Sequence, residues 1–202
     1  GSRRNEVRAE TERIENQLGA MLEKRGFKVV LNWHPPLGPD GNAGEVDVIC
    51  ARNDTVLVLE VKSTYQRRSQ KDAWQHETTT LRRAGQQMQR KVAAVQLALA
   101  TESEFAPKLG LDAGAPATQL HGWIVDTSIE CDHQRFGGFL KISLEELLIA
   151  LRDDRHLLHD PEGIFSQAQS ATRTSPESLY PEGFSACRLV EAVETQAVWA
   201  GI

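Results

Sequence analysis

Apolar positions change period along the chain, and each change marks an element. From about Asn5 to Lys24, Val7, Ile14, Leu18, Met21 and Leu22 recur at helical spacing, which predicts an amphipathic helix. Gly26 stops that helix, and Phe27 to Leu31 reads as a short strand. His34 to Gly44, HPPLGPDGNAG, carries too much proline and glycine for helix or strand and is a loop. Two runs of strand formers follow in GEVDVICARNDTVLVLEVK, Gly44 to Lys62, parted by Asn53-Asp54. From about Lys71 to Ala100 good helix formers predominate, which predicts one long helix. Thr101 to Thr118 reads as an irregular connection. LHGWIVDTSI and FGGFLKI are two further strands, with Gly137-Gly138 ahead of the second. Ser143 to Asp154 is a helix opened by a capping box, Ser143 as N-cap and Glu146 three residues on. Beyond Pro161 the chain is turn-rich as far as RLVEAVETQAVWA, a terminal helix. This order predicts a mixed α/β domain over residues 5–155 with a C-terminal extension over 156–202. Residues 1–4 read as a tag scar and linker, because Gly-Ser stands first without a methionine. The chain is accordingly expected to come from a longer protein.

The hairpin repays a geometric reading. With Asn53-Asp54 as the two residues of a tight primed turn, opposed positions sum to 107, so Asp47 faces Glu60 and Glu45 faces Lys62. The period of two puts Asp47, Ile49, Val58, Glu60 and Lys62 on one face. Val46, Val48, Cys50, Leu57, Leu59 and Val61 take the other. Both faces are apolar near the turn, which predicts a hairpin sandwiched between helices. Two carboxylates directly opposed on such a sheet repel each other. Buried, they must be protonated, paired or bridged by a cation, and hard oxygen donors suit magnesium (Mg2+) or manganese (Mn2+).

Composition narrows the setting. With 40% hydrophobic and 25% charged residues the chain can bury a core without staples. A net charge of -5 excludes a protein that coats nucleic acid indiscriminately, though not a local basic groove. The cysteines Cys50, Cys131 and Cys187 fit neither a disulfide framework nor zinc spacing, which points to a reducing, cytoplasmic setting. No apolar run reaches membrane-spanning length, so no membrane association is expected. Lys62 to Lys91 is locally basic at net +6, through Lys62, Arg67, Arg68, Lys71, Arg82, Arg83, Arg90 and Lys91 against Asp72 and Glu77. Such a loop and helix can hold phosphates, and Tyr65 and Trp74 can stack on unpaired bases. His156 and His159, near Asp153, Asp154 and Asp160, read as a polar helix end. Cys131-x-His133 lacks the partners for zinc.

At Asp47, Glu60 and Lys62 the chain resembles the PD-(D/E)XK nuclease superfamily. That pattern is an acid within one strand and Glu-x-Lys in the next; here it is EVDVI, then EVK. Val46 stands where the pattern commonly has proline, a departure frequent in the Holliday-junction-resolvase-like branch. That branch also carries a glutamate in the first helix, and Glu15 sits eleven residues before the Gly26-Phe27 pair. The run EVDVICARNDTVLVLEVKSTYQ further resembles the nuclease-related domains of bacterial proteins. The likeness covers about Glu12 to Ala100, and more weakly continues to about Leu151.

The resemblance implies a restriction-endonuclease-like αβββαβ core, a central mixed sheet flanked by helices. It also implies magnesium- or manganese-dependent hydrolysis of phosphodiester bonds, with DNA as the expected partner. Asp47 and Glu60 would be metal ligands, completed by the backbone carbonyl of Val61. Lys62 would orient or deprotonate the attacking water, or stabilise transition-state charge. Glu15 would hold a second metal or its water shell. Gln87, preferred over Gln86 and Gln89, would be an orienting hydrogen-bond partner. Two other expectations stand beside this one. The chain could bind nucleic acid without cutting it. It could instead serve as an interaction domain of a larger assembly or a homodimer, docking through the helix around Leu189 to Trp199.

Overall fold

The computed structural model describes residues 1–38, 41–63, 70–112, 119–154 and 178–201; the side chains of residues 3, 70–74, 76 and 77 lie outside that description. Arg67, Arg68, Tyr65, His156 and His159 therefore fall outside it, as do the side chains of Lys71 and Trp74.

The first helix, α1, runs Ser2–Lys24 and starts earlier than its apolar spacing suggests. Its end is set by Gly26 at φ 85°. The Gly26 N–H donates to Glu23 O at 2.9 Å and the Phe27 N–H to Leu22 O at 3.1 Å, the paired bonds of a Schellman motif. Strand β1 (Lys28–Trp33) follows and pairs antiparallel with β2 (Val46–Arg52), which pairs antiparallel with β3 (Thr55–Lys62). The long helix α2 (Gln70–Thr101) and the short α3 (Phe105–Lys108) then carry the chain to β4 (Gln119–Asp126), parallel to β3. A parallel neighbour requires such a crossover. Helix α3 forms within the stretch expected to be irregular, and its Phe105 and Ala106 are buried.

Gly137-Gly138 does more than precede a strand. Both take positive φ, at 60° and 89°, and turn β5 (Arg135–Phe136) onto β6 (Phe139–Ser143). The six strands stand in the order β1-β2-β3-β4-β6-β5. Helix α4 (Leu144–Arg152) opens with the Ser143 hydroxyl accepting the Glu146 N–H at 3.2 Å. The reciprocal half of the expected capping box does not form, because the Glu146 carboxylate is buried against the ring of His133 and the indole of Trp199. Helix α5 (Ala186–Glu194) and a 3-10 turn (Ala197–Trp199) close the described chain.

Two apolar layers sandwich the sheet. One joins Ile14, Leu18 and Leu22 of α1 to Val48, Leu57 and Leu59, with α4 and α5 on the same side. The other joins Leu81, Met88 and Val95 of α2 to Ile49, Val58 and Ile124. The hairpin alternates between them as its period requires, except at Val46. Val46 lies in the α2 layer, opposite to the side that alternation gives it. Its β1 partner, Trp33, follows Asn32, whose φ of 53° breaks the extended run, and Trp33 stacks on Phe105 at 4.6 Å. The terminal helix also differs from a free docking element: Leu189, Val193 and Val198 fill the α1-side core.

Helix α2 meets the β5–β6 turn backbone to backbone. A Cβ at Gly85 would lie 2.4 Å from the carbonyl carbon of Phe136 and 2.7 Å from the Gly137 nitrogen. Gly85→Ala is expected to cost about 2 kcal/mol and lower the melting temperature by about 4–8 °C. In contrast, a Cβ at Gly19 would meet only the ends of Leu31 and Val29, at 3.3 Å or more. Gly19→Ala should then change stability by less than about 1 kcal/mol, helix propensity offsetting a small Leu31 shift. Thermal denaturation of the pair checks both.

Candidate active site

Everything at this site depends on where backbone pairing stops. From Arg52–Thr55 to Val48–Leu59 the β2–β3 partners keep the sum of 107 that a two-residue turn dictates, with Asn53 at φ 55°. Pairing then ends. One residue further, Oδ2 of Asp47 accepts the Val61 N–H at 2.8 Å, so a side chain takes a donor that the ladder leaves over.

A similar substitution occurs at β1. The partners Leu31–Val48 and Trp33–Val46 place Asn32 beside Asp47. The positive φ of Asn32 is a conformation asparagine tolerates better than most residues. Its amide nitrogen donates at 2.7 Å to Oε2 of Glu15 and at 2.7 Å to Oε1 of Glu45, tying α1 to the loop that enters β2. His34 Nε2 lies 3.3 Å from the other Glu45 oxygen. Glu15, Glu45 and Asp47 each offer a carboxylate oxygen, and these atoms lie within 4.8 Å of one another.

Glu60, 3% exposed, looks the other way. Its Oε2 accepts from Lys91 Nζ at 2.6 Å, and Lys62 Nζ stands 3.3 Å from its Oε1. Lys91 is 6% exposed and comes from α2, whereas Lys62 follows Glu60 on β3 and is less covered.

The electrostatics follow from this crowding. Burial, then the nearby Glu60 carboxylate, push the Asp47 carboxyl up to about 7; Glu15 adds to the rise, while the Val61 N–H and Lys91 oppose it. Glu15 is also raised, chiefly by burial and further by Glu45, Glu12 and Glu60, against its hydrogen bond from Asn32.

The structure thus brings Glu15 and Asp47 together, and Glu60 and Lys62 together. It holds Glu60 outside the three-oxygen cluster, among lysines, so the four expected ligands do not converge on one point. Val61 supplies its N–H to Asp47, and Gln87 lies half-buried on α2, one turn before Lys91. Lys91 differs from the expectation that grouped it with phosphate-facing residues: it points inward and pairs with Glu60, both side chains being at most 7% exposed. Arg82, Arg83 and Arg90 remain exposed on α2. Arg90 and Gln89 also line a cavity of about 460 Å³ against Pro35, Pro36, Ala94 and Leu97.

Three members of the site escaped the sequence reading. Asn32 carried a weak signal, a turn-tolerant residue inside the strand run VVLNW. Glu45 was read only as the partner of Lys62. Lys91 had the clearest signal: it falls in the apolar stripe of α2 with Ala84, Met88 and Val95, where a charge needs a buried partner. No protein-family model matches the chain, and no curated protein matches it.

The raised Asp47 value has a consequence for stability. Asp47 binds its proton more tightly folded than unfolded, so metal-free protein should lose stability as pH rises from about 4 through about 7. Asp47→Asn removes the charge that causes the loss. In chelator, the variant should melt about 5 °C above wild type at pH 8, and the advantage should vanish near pH 4. Melting temperature measured across that range checks the sign.

Proposed function

We propose that this chain is a metal-dependent nuclease that hydrolyses phosphodiester bonds in DNA as an endonuclease, on a restriction-endonuclease-like core. The observation that carries the proposal is the company kept at the open end of the β2–β3 hairpin: Asp47, Glu60 and Lys62 with Glu15 from α1. The order α1-β1-β2-β3-α2-β4 supports it, since it repeats the αβββαβ order of elements that the resemblance implies.

The donors suit a hard divalent cation. Glu15, Glu45 and Asp47 offer carboxylate oxygens within 4.8 Å of one another, and these would draw closer to hold one such ion. When bound, such an ion neutralises phosphoryl charge and lowers the pKa of water. The protein supplies the rest. Asp47, fixed by the Val61 N–H, holds its carboxylate at the sheet end, and Asn32 keeps Glu15 and Glu45 turned toward it. Lys62, partly exposed beside Glu60, can face a water or phosphate oxygen from its place on the site's rim. Arg82, Arg83 and Arg90 give α2 an exposed basic stretch for the DNA backbone in a chain of net charge -5. No helix among the described residues is long and apolar enough to cross a membrane.

A second reading, nucleic-acid binding without cleavage, draws on the two lysines that already satisfy Glu60. One assay separates the two. Purified protein is incubated with closed circular and linear DNA, in magnesium, in manganese and in chelator. Nuclease action predicts nicking of the circle that depends on metal. Asp47→Ala, Glu60→Ala and Lys62→Ala should each reduce it by about a hundredfold or more. DNA retention without cleavage in either metal supports the binding module, and unchanged cleavage in all three variants removes the assigned site.

A further inference from the structure

Lys91 occupies a position that helix packing would fill with an apolar side chain. Ala84, Met88 and Val95 share its face of α2 and are buried against the sheet. An ammonium there has lost its water, and such a charge is retained only against a partner of opposite sign. That partner is Glu60, at 2.6 Å, with both side chains at most 7% exposed. Lys91 therefore neutralises Glu60 from within the core, while Lys62 reaches the other oxygen from a more open position.

A divalent cation held by Glu15, Glu45 and Asp47 would put two positive charges near that ammonium, which already acts on the Asp47 carboxyl. Like charges in a desolvated site repel strongly. Glu60 lies outside those three oxygens, so to reach the cation its carboxylate would have to turn away from Lys91. Resting on the metal-dependent reading above, we infer that Lys91 is the site's internal counter-ion. It stands in for the metal in the metal-free protein, competes with the metal for Glu60, and is released from Glu60 on metal binding. Lys91 is thus a positioning residue that holds Glu60 until a cation takes that carboxylate. Gly44, at φ 84°, passes close to its stem: a Cβ there would lie 3.6 Å from Lys91 Cε, so the loop leading to Glu45 borders the path of that side chain.

The test measures binding, not activity. Manganese affinity of the whole chain is read by electron paramagnetic resonance of the free ion, alongside melting temperature in chelator and in manganese. Lys91→Met should bind manganese about tenfold more tightly than wild type, because a repelling charge is gone. It should also melt lower in chelator and gain more from manganese than wild type gains. Lys91→Arg, which keeps the charge, should stay near the wild-type affinity. Lys91→Gln, which still donates to Glu60 without charge, carries the same expectation as Met if the Met variant does not fold. Wild type that binds manganese while neither neutral variant binds more tightly overturns the counter-ion role and leaves the metal site standing. Absence of binding in wild type and all variants overturns both. Asp47→Asn should abolish binding in every background, and binding that survives it places the ion elsewhere and sinks the competition with Lys91.

Discussion

Two ammonium groups hold one buried carboxylate at the end of this sheet: Lys91 at 2.6 Å and Lys62 at 3.3 Å from Glu60. The other acids depend on that arrangement. Asp47 feels the charge of Glu60, and Glu15 feels Glu45 and Glu60, so the cluster would expel itself without compensation. Breaking a buried pair by removing one partner typically costs about 3–5 kcal/mol, a large share of the stability of a domain this size. The lysine that prevents this comes from α2, on one face of the sheet. The glutamate that completes the acid cluster comes from α1, on the other. Neither helix can be absent if the hairpin's charges are to be tolerated, so the site is a property of the assembled sandwich and not of the hairpin alone.

The acids gather at this end because backbone pairing runs out there. Within the β2–β3 ladder every N–H and C=O has a neighbour, and apolar side chains fill both layers. Past Val48–Leu59 the Val61 donor needs an acceptor, and the carboxylate of Asp47 is at hand. At β1 the positive φ of Asn32 likewise turns a strand residue into a side-chain donor. Asp47, held this way, is fixed by backbone geometry yet keeps a second oxygen to use. That combination of rigidity and spare valence is what a reactive site requires.

Much of this was legible from residue order. Asn53-Asp54 fixed the register, Gly26 ended α1 as expected, and Glu15 fell beside buried Leu18 on the sheet-facing side of that helix. These are local rules, set by turn length and helical period. What escaped is non-local. Nothing near Asn32 in the sequence says that its amide will bridge Glu15 and Glu45, seventeen and thirteen residues away. Val46 lies in the layer opposite to the one that alternation within β2 gives it, beside the positive φ of Asn32 on the neighbouring strand. Glu146 satisfied the capping-box spacing, yet its carboxylate went to His133 and Trp199, because burial made those partners worth more than its own helix start.

That last exchange bears on the site. Thr127, at the end of β4, donates its N–H to Lys62 O at 3.2 Å, so the loop after β4 holds the backbone of Lys62. The same loop is pinned by buried charge. Lys141, fully enclosed, donates to Ser128 O at 2.6 Å and to Asp132. His133 donates its backbone N–H to Lys141 O and sets its ring against Glu146, which the Trp199 indole also engages. Each link is satisfied, and satisfied polar networks of this kind specify one geometry more sharply than apolar packing does. Carboxylate burial beneath α4 therefore reaches, bond by bond, from the C-terminal turn to the strand that carries Glu60 and Lys62. The C-terminal segment is part of the frame that positions the site, and its apolar face packs into the α1-side core.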